Sequence, residues 1–203
     1  MNIIIAVAGP PGAGKTSLIN ALVCELGNAS SVSYDSYQKI TEKPVNEITK
    51  LLKDGTNYNS LVIPKLAEDL EKIKNGESIM EPLQNIEVKS NPYIFFETPF
   101  GKEHTESAQY IDLLLWIDIP FDVALARNLK AFTGSFLKEQ RREKHTDNIV
   151  WLDDYLANYL ADIRHLLLLQ KEKVSINADI VIDGTNNIES MAEYATKEIL
   201  KRQ

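Results

Sequence analysis

The chain has 203 residues, 44% of them hydrophobic and 25% charged, and 22 Lys and Arg against 29 Asp and Glu give a net charge of −7 and a pI near 5.1. This is an ordinary globular composition, long enough to bury a sizeable core without disulfides. It excludes disorder, collagen-like repeats and disulfide miniproteins, and the acidic balance speaks against a polyanion-binding surface, so no nucleic-acid partner is expected. Cys24 is the single cysteine, which rules out an intrachain disulfide and fits a reducing, cytoplasmic setting. The longest apolar runs, 113–117 and 166–169, fall far short of the roughly 20 residues that span a bilayer, so no membrane partner is expected. The apolar start, 3–8, lacks a basic flank and reads as a buried strand, not a signal peptide.

Apolar runs rich in β-branched residues predict strands over 2–8, 31–34, 93–97, 113–118 and 179–183. Helical patterns lie between them. One covers 16–26; another, 61–74, is amphipathic and stops at Asn75-Gly76. The pattern over 121–131 follows Pro120, which suits a first helical turn. A long helix is predicted over 149–173 and a last one over 187–200, and Trp116 and Trp151 are expected in the core. Strands alternating with helices predict an α/β fold, a five-stranded parallel sheet ordered 2-3-1-4-5 with helices on both faces, in one domain over 1–203. Two segments do not serve the sheet. Residues 41–90 are too long for a simple crossover, and 133–148 are polar and interrupted by Gly134. They are expected to carry the acceptor site and a small mobile lid.

Gly9-Pro10-Pro11-Gly12-Ala13-Gly14-Lys15-Thr16 fits G-x-x-x-x-G-K-[ST] in full, and Ser17 follows it into the helix. The glycines let backbone N–H groups curl around phosphate oxygens, and the helix opening near Lys15 adds its positive end. Lys15 is expected on the β- and γ-phosphates of ATP and the Thr16 hydroxyl on Mg²⁺. The fold expected is therefore that of a P-loop NTPase.

Two acidic positions follow strands, where ligands of open α/β sheets collect. Asp35, in Asp35-Ser36-Tyr37, can accept a proton from an acceptor hydroxyl or serve as a turn cap. Glu97 closes the run Phe95-Phe96-Glu97 and is expected to organise the metal, with Asp118, after 113–117, as the competing candidate. From Arg127 to Lys144 there are six basic residues against two acidic ones. This is either a solvated face or a source of cations over a transferring phosphoryl group. His104, His145 and His165 have no metal-ligand spacing, so no zinc site is expected.

These motifs together resemble the uridine kinase group of P-loop kinases, which includes phosphoribulokinase-like and nicotinamide riboside kinase-like enzymes. Asp35-Ser36-Tyr37 resembles the family's Asp-[Asp/Ser]-Phe-Tyr stretch. Asn75 to Pro82 resembles the segment before its third strand, and Phe96-Glu97 its strand-end carboxylate. Ile117-Asp118 with Ala124-Leu125-Ala126-Arg127 resembles its stretch after the fourth strand, Arg141-Arg142 fall where it keeps lid arginines, and Ala178 to Ile182 resembles its closing strand. The resemblance implies Asp35 as the catalytic base and Arg141 and Arg142 as charge stabilisers. The chain departs from the family after Pro82, where Leu83 to Val88 lacks the Tyr-Asp-Phe and His-x-Arg of the nucleoside kinases, and after Glu97, where Thr98-Pro99 replaces a glycine.

The function expected is ATP- and Mg²⁺-dependent phosphoryl transfer to a hydroxyl of a nucleoside-like or other small metabolite. Lys15, Asp35, Glu97, Arg141 and Arg142 would be catalytic, residues 9–17 and Arg127 would hold the nucleotide, and Thr16 and Glu97 the metal. A nucleotide-dependent switch or ATPase is the first alternative. A nucleoside monophosphate kinase is the second, disfavoured because no arginine lies between Asp35 and Gly101.

Overall fold

The computed structural model describes residues 2–37, 58–138 and 144–202. Arg141, Arg142 and residues 41–57 of the expected acceptor insertion lie outside them. The strands are β1 (Ile3–Ala8), β2 (Ala29–Ser33), β3 (Ile79–Glu81), β4 (Ile86–Val88), β5 (Tyr93–Glu97), β6 (Leu113–Asp118) and β7 (Ile180–Asp183). The described helices are α1 (Lys15–Leu26), α2 (Pro64–Lys74), the short α3 (Thr105–Ala108), α4 (Phe121–Lys138), α5 (Lys144–Asn158), α6 (Arg164–Ser175) and α7 (Ile188–Leu200).

β1 is the axis. Its residues from Ile4 to Ala8 are wholly buried, and it pairs in parallel with β5 on one side and β6 on the other. β2 and β7 complete a five-stranded parallel sheet. Alternate residues of each strand face opposite layers. Ile4, Ala6, Ile94, Phe96, Leu114 and Trp116 pack on the side of Tyr34, Tyr37 and the α2 residues Leu66, Leu70 and Ile73. Ile5, Val7, Phe95, Leu115 and Ile117 pack against Leu18 and Leu22 of α1 and Met191, Ala195 and Ile199 of α7. Burial on both faces is why these strands read as unbroken apolar runs.

Counted among the sheet's own five strands the order is the expected 2-3-1-4-5; numbered along the whole chain it is β2-β5-β1-β6-β7. The difference arises from the antiparallel hairpin β3–β4, which stands between β2 and β5 in the chain. Its strands have three residues each and a mostly exposed pattern, too short for an alternation signal. The second sheet strand begins earlier than expected, at Ala29, and ends at Ser33, with Tyr34–Ser36 forming a 3₁₀ turn.

The helices after β6 also differ from expectation. α4 runs through Gly134 to Lys138, so the first part of the expected lid is helical. A glycine inside a helix costs about 1 kcal/mol relative to alanine; here Phe132 and Phe136 offset it by packing edge-on to Trp151 of α5. Trp151 stacks on Tyr155 and remains 42% exposed, so it belongs to a helix–helix contact and not to the core. The predicted helix 149–173 begins earlier, at Lys144, and is broken by a π turn over Tyr159–Ile163. Among the described residues no helix is long and apolar enough to cross a membrane.

Gly101, between β5 and α3, has a φ of 51°, and a Cβ there would stand 2.6 Å from Val174 Cγ1 and 3.0 Å from Leu114 Cδ2. Left-handed backbone and overpacking both penalise a side chain at this point. Gly101→Ala should destabilise the protein by about 2 kcal/mol, read as a fall of roughly 4–8 °C in melting temperature.

Candidate active site

The chain leaves β1 at Ala8, at the C-terminal edge of the sheet, and turns into α1, whose first residue is Lys15. The turn is tight. Gly12 has a φ of 81°, and a Cβ there would lie 2.1 Å from the backbone oxygen of Ala124 in α4, so only glycine fits. No side chain caps α1, and its first turn carries no acidic residue. Its first N–H groups and the positive end of its dipole therefore have no side-chain partner, the setting of an anion cradle.

β5 stops at Glu97, opposite Val7 of β1 and Ser33 of β2. The Thr16 hydroxyl donates to the Glu97 carboxylate, 2.9 and 3.1 Å from its two oxygens. A hydroxyl and a carboxylate side by side are hard oxygen donors of the kind Mg²⁺ takes. Among the described residues no group of three or more His, Cys, Asp or Glu side chains could hold a metal, so an ion bound by Thr16 and Glu97 would draw its other ligands from phosphate and water. Asp118, the competing candidate, is ion-paired with Lys171 of α6 at 2.6 Å.

Two cavities meet at the loop. The larger, about 700 Å³, lies along Gly14, Thr16 and Ser17 and extends between Arg127 and the 186–189 stretch after β7. The Arg127 guanidinium donates to the Gly184 carbonyl at 2.7 Å, which holds α4 to the end of β7. The smaller, about 390 Å³, lies on the other side, lined by Asp35, Tyr58, Pro99, Phe100, Leu166, Leu167 and Gln170. Gly12, Lys15, Glu97 and Asn128 line both; Asp118 lines neither. Asp35, in the 3₁₀ turn after β2, is exposed on the rim shared with Glu97.

Lys15 is folded back on the loop, its ammonium donating to the Gly9 and Pro10 carbonyls at 3.1 and 3.3 Å. Burial pushes its pKa below the ordinary lysine range, and the Glu97 and Asp35 carboxylates pull in the opposite direction. The loop carbonyls and two carboxylates thus hold a partly desolvated cation at the junction of the cavities.

Sequence reasoning picked out Lys15, Thr16, Asp35, Glu97 and Arg127, and the fold brings all five to these cavities. It missed Asn128, whose amide donates to the Tyr155 hydroxyl at 2.9 Å, the stretch Asn186 to Glu189, and the wall formed by Tyr58, Phe100, Leu166, Leu167 and Gln170. The one available signal for the wall was the apolar run 166–169 beside Gln170, which also reads as a core helix.

No protein-family model matches the chain, and no curated protein matches its sequence. Solved structures share its fold. Over 98% of this chain and 98% of its own, the shikimate kinase from Aquifex aeolicus vf5 aligns with a TM-score of 0.50 and 16% identity. A gluconokinase from Sinorhizobium meliloti 1021 aligns over 98% of this chain and 92% of its own, with a TM-score of 0.54 and 13% identity. Shikimate kinase from Acinetobacter baumannii, in complex with shikimate, covers all of this chain and 96% of its own, with a TM-score of 0.55 and 15% identity. At such identities the likeness is one of fold, an α/β fold with a five-stranded parallel sheet.

The Lys15 environment has a consequence for stability. Below its lowered pKa, Lys15 is charged in both the folded and the unfolded chain, and the folded protein carries the full cost of burying that charge. As pH rises through the lowered pKa towards the ordinary 10.5, the folded form loses its proton first and the cost disappears. Without nucleotide, Lys15→Met should melt above the wild type near neutral pH, and the gap should close as pH approaches 10.5. A gap that widens with pH, followed by calorimetry, would contradict this account.

Proposed function

We propose that this protein is a small-molecule kinase, one domain over 1–203, that moves the γ-phosphoryl group of ATP to a hydroxyl of a small metabolite. The observation that carries the reading is the meeting of two cavities at Lys15 and Glu97, one running along the phosphate loop and the other reaching Asp35. A phosphoryl transferase needs donor and acceptor on opposite sides of one cation-lined point, in line with the transferring phosphorus.

In this reading the first turn of α1 and Lys15 hold the β- and γ-phosphates, and the nucleotide's base lies between Arg127 and the stretch after β7. Thr16 and Glu97 would hold Mg²⁺, which supplies charge neutralisation on the phosphates when bound. Asp35 accepts the proton of the acceptor hydroxyl as that oxygen attacks the γ-phosphorus. The bond from phosphorus to the β,γ-bridging oxygen breaks, and ADP leaves with the electron pair. The basic run from Arg127 to Lys144 supports Arg141 and Arg142 as further cations over the transferring group, within a lid over 133–148. The insertion over 41–90 would border the acceptor.

The kinship proposed is with uridine kinase-like enzymes in the phosphate loop and the strand-end carboxylates. The acceptor side is this chain's own. Leu83 to Val88, where the nucleoside kinases carry their gripping residues, forms the turn and second strand of the β3–β4 hairpin and lines neither cavity.

Lys15→Ala should abolish ATP binding in calorimetry and acceptor-dependent ADP release. Asp35→Asn separates a base from a turn cap, because asparagine caps about as well as aspartate but cannot take the proton. The expected result is a fall of roughly 10²–10⁴ in turnover, with ATP affinity and melting temperature unchanged. Near-normal turnover in Asp35→Asn would remove Asp35 from the chemistry.

A further inference from the structure

The 390 Å³ cavity carries information about what it accepts. Its volume suits a metabolite of modest size. Lys15 is the one cation among its described lining residues, and in the kinase reading Lys15 is taken up by phosphate. With Glu97 given to the metal in the same reading, the charged group that remains among the described lining residues is the Asp35 carboxylate. The walls are apolar: Tyr58 and Phe100 pack with ring centroids 5.0 Å apart, and Leu166 and Leu167 face them from α6. No arginine precedes Arg127 in the whole sequence.

One polar group in the wall is unsatisfied. Gln170 is only 8% exposed. Its Nε2 donates to the Pro99 carbonyl at 2.7 Å, which orients the amide and leaves Oε1 as an acceptor. That oxygen is buried without a hydrogen-bond partner. Two other buried side-chain oxygens among the described residues share this state, Glu81 Oε1 and Thr196 Oγ1, and neither residue lines the cavity. A buried acceptor without a donor is costly, and a ligand can supply the missing donor.

We infer that the phosphate acceptor is an uncharged alcohol with an apolar or aromatic body and an N–H or O–H donor that meets Gln170 Oε1, and that acidic alcohols are rejected. The inference rests on the kinase reading for the role of the cavity. Among the described lining residues, a carboxylate bound there would be desolvated beside Asp35 and the Gln170 oxygen, with no cation besides Lys15 to pair it. A ligand donor would instead complete the Gln170 amide. A site built to bond a donor discriminates against analogues that lack it, because its own polar group is then left unpaired. Gln170 is thus a specificity-determining residue, away from the reacting atoms.

The test uses three alcohols on one ring, titrated calorimetrically into the full chain loaded with Mg²⁺ and a non-hydrolysable ATP analogue. They are meta-hydroxymethylbenzamide, its dimethylamide, which has no N–H, and the corresponding benzoate. The primary amide should bind at least about tenfold more tightly than the dimethylamide, and the benzoate most weakly. In Gln170→Met the primary amide should fall to the level of the dimethylamide, with affinity for the ATP analogue retained. Equal affinities for the two amides in the wild type, tightest binding by the benzoate, or no binding by any of the three to analogue-loaded protein would each overturn the inference. The wild-type comparison decides even if Gln170→Met fails to fold. Phosphoryl transfer is read separately, as phosphorylated alcohol formed from ATP. Binding in the expected order without product would support the assignment of the cavity and remove the kinase reading. Failure of the ATP analogue to bind would overturn both.

Discussion

The parallel pairing of β1 with β5 is the constraint on which the candidate active site depends. Its register sets Val7 opposite Glu97, so the strand that feeds the phosphate loop and the strand that supplies the carboxylate end together. α1 begins seven residues after Ala8, and Thr16, in its first turn, meets Glu97 without any adaptation of the loop. A register slip of one residue would turn Glu97 to the opposite face of the sheet. The slip is resisted because Phe95 and Phe96, the residues before it, are fully buried on opposite faces. The packing of the core thus positions the oxygens that would hold a metal.

The same edge sorts charge. The molecule is acidic overall, yet the phosphate-loop side offers backbone N–H groups, Lys15 and Arg127. The opposite side adds Asp35 and an apolar wall, while Glu97 lines both sides and Glu189 the larger one. Lys15 stands between them and is drawn both ways, desolvated by the loop and held by Glu97 and Asp35. A polyphosphate would relieve that desolvation by direct pairing with the ammonium.

The helices after β6 connect these two sides. α4 brings Arg127 to the larger cavity and Asn128 to both, and Asn128 is fixed from behind by the Tyr155 hydroxyl. Beyond α5 the π turn over Tyr159–Ile163 inserts an extra residue into the helical repeat, which shifts the phase of everything that follows. After that shift Leu166, Leu167 and Gln170 line the smaller cavity. Such turns occur often at functional sites, and this one lies directly before the wall that would recognise the acceptor.

By itself, the sequence determined the features whose physics is local. The phosphate loop was legible because its glycines, lysine and threonine occupy adjacent positions, and the five sheet strands because burial on both faces writes them as continuous apolar runs. Asp35 and Glu97 were legible as the first acidic residues after such runs. Only the tertiary structure decided what depends on distant parts of the chain. It set Glu97 against the Thr16 hydroxyl and Asp118 against Lys171. It carried α4 through Gly134 by aromatic packing against α5. It formed β3–β4 from segments too short to show a period. It also gathered Tyr58, Phe100, Leu167 and Gln170 around one cavity, although more than a hundred residues separate the first from the last. A pocket wall has no sequence period, because its members are selected by the packing of separate elements and not by spacing along any one of them.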